Sequence, residues 1–162
     1  MKIEHLEGRV LDYKKSIETV VEKKMLWKTK IKDLIVNTLT TIINQYDIGW
    51  NIQELNWINN NAAVNITFDS FPPELIKYTN KIPAYQFIQG AALVFSQSYN
   101  GDVFVFILFP VVENMPIENN SIDLGILDPK EINEKLIIEK VDEFLKEMIK
   151  WEVPTIKNKL GY

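Results

Sequence analysis

The feature that most constrains this chain is a long segment without helix-breaking residues: neither proline nor glycine occurs between Arg9 and Asp47. Apolar side chains recur in it at intervals of three and four residues, which is the spacing of one face of an α-helix. Gly49 supplies a stop signal just beyond the segment. We therefore predict a single helix over about residues 9–45 as the first element of the fold.

The apolar seam of this helix has a heptad-like order. From Leu6 to Leu34 its spacings alternate between four and three residues, and only Lys24 interrupts it. Such a seam is typical of a helix that packs against another helix. Beyond Leu34 the apolar stripe widens, as expected for a helix that packs on a globular core.

The predicted helix is longer than the domain that should contain it. About 37 residues at about 1.5 Å each span roughly 55 Å, whereas a chain of 162 residues folds into a body roughly 40 Å across. The helix therefore either bends near Thr38–Thr41 or extends to a partner, and we favour the partner. The candidate interface residues are Val10, Tyr13, Ile17, Val20, Trp27, Ile31 and Leu34.

The middle of the chain, over about residues 49–112, carries strand signals. Asn100-Gly101 lies between two apolar runs and predicts a two-residue hairpin turn, which would place Phe95 opposite Phe106. Residues 103–112 are apolar at every position, so we expect this strand to be covered on both faces. Together with two earlier alternating segments, these runs predict a four-stranded antiparallel meander.

The last third of the chain is predicted to contain an irregular linker and a second helix. The linker covers residues 113–129, and Asp128-Pro129 supplies the cap and first-turn proline of an amphipathic helix over about 130–152. The order of elements lacks the alternation of a doubly wound fold. The prediction is one α+β domain over residues 1–162, in which the C-terminal helix packs on the sheet.

Residue types that catalytic and metal sites require are scarce. The chain has no cysteine, and its one histidine, His5, lies close to the N-terminus, so thiolate metal sites and histidine-dependent triads lack their essential groups. No glycine-rich phosphate-binding loop is present. The acids near the predicted strand ends do not show metal-site spacing. We therefore assign no catalytic, cofactor-binding or metal-binding residue.

Charge is unevenly distributed along the chain. The net charge is −4 and Arg9 is the only arginine, which argues against nucleic-acid binding. Between Lys14 and Lys32, seven lysines stand against two glutamates, whereas eleven acids stand against five lysines between Glu113 and Glu152. These segments either pair within one molecule, remain solvated, or bring the Lys14–Lys32 segment to an acidic protein partner such as a second copy.

Two functions from different classes are consistent with this sequence. We expect a non-enzymatic interaction or regulatory module that forms a homodimer through its long first helix. The alternative is a small-molecule-binding protein, or a carboxylate- or metal-dependent enzyme, whose site lies on loops 70–85 and 113–128.

The sequence favours a cytoplasmic protein. The N-terminal residues lack the apolar run of a secretory signal. The longest apolar run, Val103–Val112, is about half as long as a membrane-spanning helix requires. We therefore expect no membrane association.

Overall fold

A computed structural model describes residues 2–56, 62–112 and 120–155 of the chain. The fold is α+β, with a long N-terminal helix, an antiparallel sheet and a C-terminal helix, as predicted. Its elements are α1 (Glu7–Leu26), α2 (Lys32–Gln45), β1 (Trp50–Asn56), β2 (Ala62–Phe68), α3 (Ile76–Thr79), β3 (Ala92–Gln97), β4 (Val103–Leu108), β5 (Ser121–Leu127) and α4 (Glu134–Glu152). Short 3₁₀ turns precede α1, α3 and α4.

Helices α1 and α2 follow one another without a break, joined by a π-helical turn at Trp27–Ile31. A π turn holds more residues than an α turn and so rotates the side chains that follow it. After Ile31 the buried positions of α2 are Ile35, Thr38 and Leu39, whereas Leu34, which the heptad order places in the seam, is only half-buried. The irregularity therefore lies at 27–31, and helical structure continues through Thr38–Thr41.

The described residues form five strands in the order β1-β2-β3-β4-β5, all antiparallel. The prediction of four strands was wrong, because β5 lies within the segment predicted as a linker. The register of β5 shifts between Val105 and Phe106 of its neighbour, and Gly125 adopts a φ of +119°. Such a bulge breaks the period-two alternation from which a strand is recognised in a sequence.

The β3–β4 hairpin has a three-residue loop instead of the predicted two-residue turn. The Ser98 N–H donates to the Asp102 carbonyl at 2.8 Å, and the Gly101 N–H donates to the Ser98 carbonyl at 3.0 Å. Gly101 adopts a φ of +89°, as in a type I turn followed by a left-handed residue. Phe95 consequently lies opposite Val105, not Phe106, since one extra loop residue shifts the whole register.

Strand β4 is covered unequally on its two faces. Val103, Val105 and Ile107 are fully buried beneath the helices. On the opposite face Phe104 and Leu108 keep 39% and 37% of their surface exposed. The expectation that this strand is covered on both faces is therefore not met within the part of the chain that the structure describes.

Helix α4 begins later than predicted. Asp128 and Pro129 open a 3₁₀ turn, in which the Asp128 carboxylate accepts from the Lys130 N–H at 3.1 Å. The cap of α4 is Asn133, whose side-chain oxygen accepts from the Leu136 N–H at 2.8 Å. No helix among the described residues combines the length and hydropathy needed to cross a membrane.

The core lies between one face of the sheet and the helices α2 and α4. Its largest fully buried members are Phe95, Phe144, Ile31, Ile35, Leu39, Ile66, Leu93, Ile107 and Ile137. The last turn of α1 is held by the β3–β4 hairpin: Lys23 Nζ lies 2.8 Å from Asp102 Oδ1, and Lys24 Nζ lies 4.8 Å from the centre of the Tyr99 ring.

Gly101 of the hairpin packs closely against α1. A Cβ added there would lie 2.5 Å from Cβ of Lys23, and its backbone conformation disfavours any side chain. We expect Gly101→Ala to lower the free energy of unfolding by about 1–3 kcal/mol, measured by urea denaturation.

The matched control is Gly8→Ala, because a Cβ at this exposed helical position meets nothing within 4 Å. Alanine is the better helix former, so this substitution should not lower the unfolding midpoint. Equal destabilisation by both substitutions would contradict the proposed role of Gly101 in docking α1.

Candidate functional site

The side chains of the first two-thirds of α1 are not packed against other described parts of the chain. All residues from 2 to 19 are exposed, and within the described chain α1 contains no buried residue. We call residues 3–19 the helical arm. At about 1.5 Å per residue the helical arm is roughly 25 Å long. It is therefore a surface whose apolar side chains are not buried by any of the residues that the structure describes.

The structure divides the predicted interface residues into two groups. Val10, Tyr13 and Ile17 are exposed on the helical arm, and Val20 is half-buried at its base. Trp27 and Ile31 are only 3% and 1% exposed, and they belong to the core together with the half-buried Leu34. Trp27, Ile31 and Leu34 therefore stabilise the fold of this chain and are not candidate contacts with a partner.

The exposed apolar stripe begins at Leu6, the first residue of the heptad order, and also includes Val21 and Met25, which that order missed. Leu6, Val21 and Met25 are each about half exposed. Val21 lies four residues beyond Ile17, so the stripe continues at α-helical spacing instead of turning toward Val20. The exposed stripe continues from Ile17 by four residues to Val21, whereas the predicted seam continues by three residues to Val20. The sequence does not distinguish these two continuations until the side of the helix that faces the core is known.

The lysine-rich segment pairs only in part with acids of its own chain. Lys23 lies 2.8 Å from Asp102 and 3.9 Å from Asp128, and Lys32 lies 3.8 Å from Glu54. The hydrogen bond to Asp102 raises the pKa of Lys23. The lysines that remain exposed, without an ion pair to a described residue, are Lys14, Lys15, Lys28 and Lys30.

A second candidate site is a cavity of about 670 Å³ at the other end of the sheet. Phe68 at the end of β2, Ala91 before β3 and Pro110 after β4 form its base. Residues 70–72 and 84–88 form one wall, and the end of α4 from Leu145 to Val153 forms the other. Segments that are distant in the sequence thus enclose one space, which we call the pocket.

Aromatic contacts fix one wall of the pocket. The Phe71 ring stacks on Tyr85 with centroids 5.1 Å apart and meets the edge of Phe87 at 5.3 Å. Phe68 connects this wall to the core, since its ring lies 5.5 Å from Phe144 and 5.7 Å from Trp50. The wall therefore consists of packed aromatic rings on a loop that has few backbone hydrogen bonds to the sheet.

Few polar groups face the pocket, and their ionisation is affected by it. Glu152 is exposed as a whole residue, but partial burial of its carboxyl against the pocket raises the pKa of that group. Burial also raises the pKa of Tyr85, to which the negative charge of Glu152 adds. Ser70 and Gln86 are the other polar lining residues, and none of the described residues lining the pocket is a lysine or an arginine.

The loops that sequence reasoning selected for an alternative site coincide with the pocket only in part. Residues 70–72 and 84–85 do line it. Residues 113–119 lie outside the described residues, and most of 121–128 is strand β5. Glu152 and the end of α4 were missed. The density of proline and aromatic residues between 68 and 88 was the only signal for the pocket in the sequence.

The geometry offers no metal centre. Within residues 2–56, 62–112 and 120–155, no group of three histidine, cysteine, aspartate or glutamate residues is placed to hold an ion. His5 lies in an exposed 3₁₀ turn at the start of the helical arm.

Comparison with known proteins supplies no relative for this chain: no family model, no curated protein and no solved structure matches it. Function is therefore inferred from the helical arm and the pocket, the two surfaces where side chains are arranged without an evident use in folding.

The two halves of the predicted seam should respond differently to the same truncation. Ile31→Ala removes a side chain from the packed core and should cost about 2–5 kcal/mol of unfolding free energy. Ile17→Ala, on the helical arm, should cost less than about 0.5 kcal/mol. Urea denaturation at sub-micromolar protein concentration measures both without a contribution from association. Equal losses would contradict the division of the seam.

Glu152 should make stability depend on pH in a defined direction. Because its pKa is raised in the folded state, the folded state favours the protonated carboxyl, and stability falls as pH rises through the carboxyl range. We expect Glu152→Gln to be more stable than the native protein at pH 7 and equal to it below about pH 4. Thermal unfolding at both pH values measures this difference.

Glu139→Gln is the control for this measurement. Glu139 lies on the same helix, is exposed, and meets Lys135 at 4.0 Å. Exposed pairs of this kind contribute little. A pH-dependent difference of the same size in both variants would show that it does not arise in the pocket.

Proposed function

We propose that this protein is a non-enzymatic interaction module that forms a homodimer through the helical arm. The observation that carries the proposal is that the apolar stripe of the helical arm, with Val10, Tyr13 and Ile17 at its centre, is exposed along its whole length. The arm extends away from the core that begins at Trp27. An interface on it would be independent of the core.

The free energy available to such an interface is substantial. Fully burying a valine or isoleucine side chain is worth about 1.5–3 kcal/mol, and Val10 and Ile17, each 48% exposed, can contribute roughly half of that value. Tyr13 is 66% exposed and adds to this sum. A helical segment of this length is marginal in water by itself. A partner along the stripe would therefore stabilise the helix and bury its apolar side chains at the same time.

A second copy is the partner that best matches the charges of the helical arm. Residues 2–22 carry four basic and five acidic side chains, hence 4 − 5 = −1, with both signs interspersed. Two copies therefore do not repel strongly. In an antiparallel pair, Glu4 and Glu7 of one copy approach the end that carries Lys14 and Lys15 of the other. A two-fold axis makes each contact occur twice.

An acidic protein partner is the second candidate. It is favoured by the exposed lysines of the Lys14–Lys32 segment, Lys14, Lys15, Lys28 and Lys30. Association of this kind would weaken as salt rises, because exposed charges are screened. Self-association through apolar side chains would be insensitive to salt or strengthened by it. The net charge of −4 continues to disfavour nucleic acid.

Light scattering coupled to size exclusion tests the homodimer. We expect a mass twice the 18.9 kDa of the chain as protein concentration rises from about 1 to about 100 μM. The double variant Val10→Glu/Ile17→Glu should remain monomeric over this range, and its unfolding midpoint should equal that of the native chain at concentrations where the native chain is monomeric, because both side chains are exposed in the single chain.

Leu11→Glu is the matched control. Leu11 is 52% exposed, close to the 48% of Ile17, but it points about 100° away from Val10 and about 120° away from Ile17 around the helix axis. This variant should dimerise like the native chain. A native protein that stays monomeric at the highest concentration, or equal effects of Leu11→Glu and the double variant, would overturn the proposal.

A further inference from the structure

The pocket is separate from the helical arm and calls for its own explanation. The root of the arm is held at the Tyr99–Asp102 turn, after the last residue of β3. The pocket lies at the first residues of the same strand, beside Ala91. The two features therefore occupy opposite ends of β3, and dimerisation through the arm leaves the pocket open.

The size and lining of the pocket are those of a small-molecule site. Ligand cavities typically measure about 300–1,000 Å³ and combine apolar walls with a few convergent polar groups. The volume of about 670 Å³ falls within this range. Leu145, Met148 and Ile149 of α4 face the aromatic loop across the space. A hydrocarbon or aromatic ligand would thus be enclosed from two sides.

The charge of the pocket discriminates among apolar ligands. Glu152 is the only charged residue among the described lining residues. A ligand with a carboxylate or phosphate would find no cation and would be repelled by Glu152. A ligand with an ammonium group would meet the Glu152 carboxylate in a lining that also holds the aromatic rings of Tyr85 and Trp151, and carboxylates and aromatic rings both attract cations.

From this arrangement we propose that the pocket binds an apolar small molecule that carries an amine, with the hydrocarbon part between the aromatic loop and α4 and the ammonium group at Glu152. The polar side chains of Tyr85 and Ser70 lie in the same lining. They supply hydroxyl groups that accept hydrogen bonds from the remaining N–H groups of the ligand.

Binding of an ammonium group also reverses the effect of burial on Glu152. Burial disfavours the ionised carboxyl, and a cation beside it favours that form. A bound amine therefore opposes the raised pKa of Glu152. Amine binding should consequently weaken when the pH is lowered through the carboxyl range, whereas binding of a neutral alcohol of the same chain length should not.

The experiment uses the full chain and the fluorescent apolar probe N-phenyl-1-naphthylamine, which is displaced by decylamine, decanol or decanoate below their micelle concentrations. At pH 7 we expect probe fluorescence to rise on binding. Decylamine should displace the probe at a concentration at least about tenfold lower than decanoate does, which is the ratio that ~1.4 kcal/mol of differential affinity produces.

Two variants of the pocket and two controls locate the effect. Glu152→Gln should reduce the preference for decylamine over decanol to less than about twofold, whereas Glu139→Gln on the exposed side of α4 should leave it unchanged. Ala84→Trp places an indole in the pocket from an exposed wall position and should abolish probe binding without changing the circular dichroism. The arm variant Val10→Glu/Ile17→Glu should bind the probe like the native chain.

Three results would overturn the proposal. The first is displacement by decanoate as effective as by decylamine. The second is probe binding that Ala84→Trp does not reduce, which would place the probe elsewhere. The third is probe binding that appears only after deletion of residues 156–162, which would show that the end of the chain, beyond the wall residue Val153, is the natural occupant. None of these results bears on the helical arm.

Discussion

The structure depends on the point at which the long helix enters the core. Trp27 is the first deeply buried residue of the chain, and the π-helical turn that begins there aligns it with Ile31 and Ile35 on one side of the helix. Residues after Trp27 can pack on the sheet, whereas the last turns of α1 before it contact the β3–β4 hairpin and Asp128 through Lys23 and Lys24. The helical arm is the direct consequence, because a straight helix cannot follow the curvature of a small core.

The described core is one-sided. Helices α2 and α4 cover the same face of the sheet, and the opposite face shows only a small cluster of Ala63, Ala92 and Val94. The end of α4 lies beside the last residue of β2 and the first residues of β3. The space between this end of α4 and the loop that follows β2 is the pocket. One arrangement of helices on a sheet thus creates both candidate surfaces at opposite ends of β3, where the proposed association and the proposed ligand binding would not compete.

Sequence reasoning predicted elements whose signal is local and periodic. The long helix, the hairpin position and the amphipathic C-terminal helix all follow from spacings within a single segment. It failed where a single residue shifts the strand register. The extra residue of the Tyr99–Gly101 loop moved every β3–β4 pair by one position. The register shift opposite Val105 interrupted the alternation by which β5 could have been recognised. Of the candidate site, the exposed residues Val10, Tyr13 and Ile17 belonged to the predicted stripe, whereas Glu152 did not appear as a functional residue.

The sequence alone determined the α+β class and the presence of a helix too long for its domain, because both follow from the period of apolar residues and from the absence of glycine and proline. Only the tertiary structure decided which half of the seam is core, since Ile17 and Ile31 have the same local pattern and differ only in whether the sheet lies beside them. The pocket was likewise decided in three dimensions. Its lining comes from chain segments far apart in the sequence, and the ionisation of Glu152 depends on apolar neighbours that no local pattern contains.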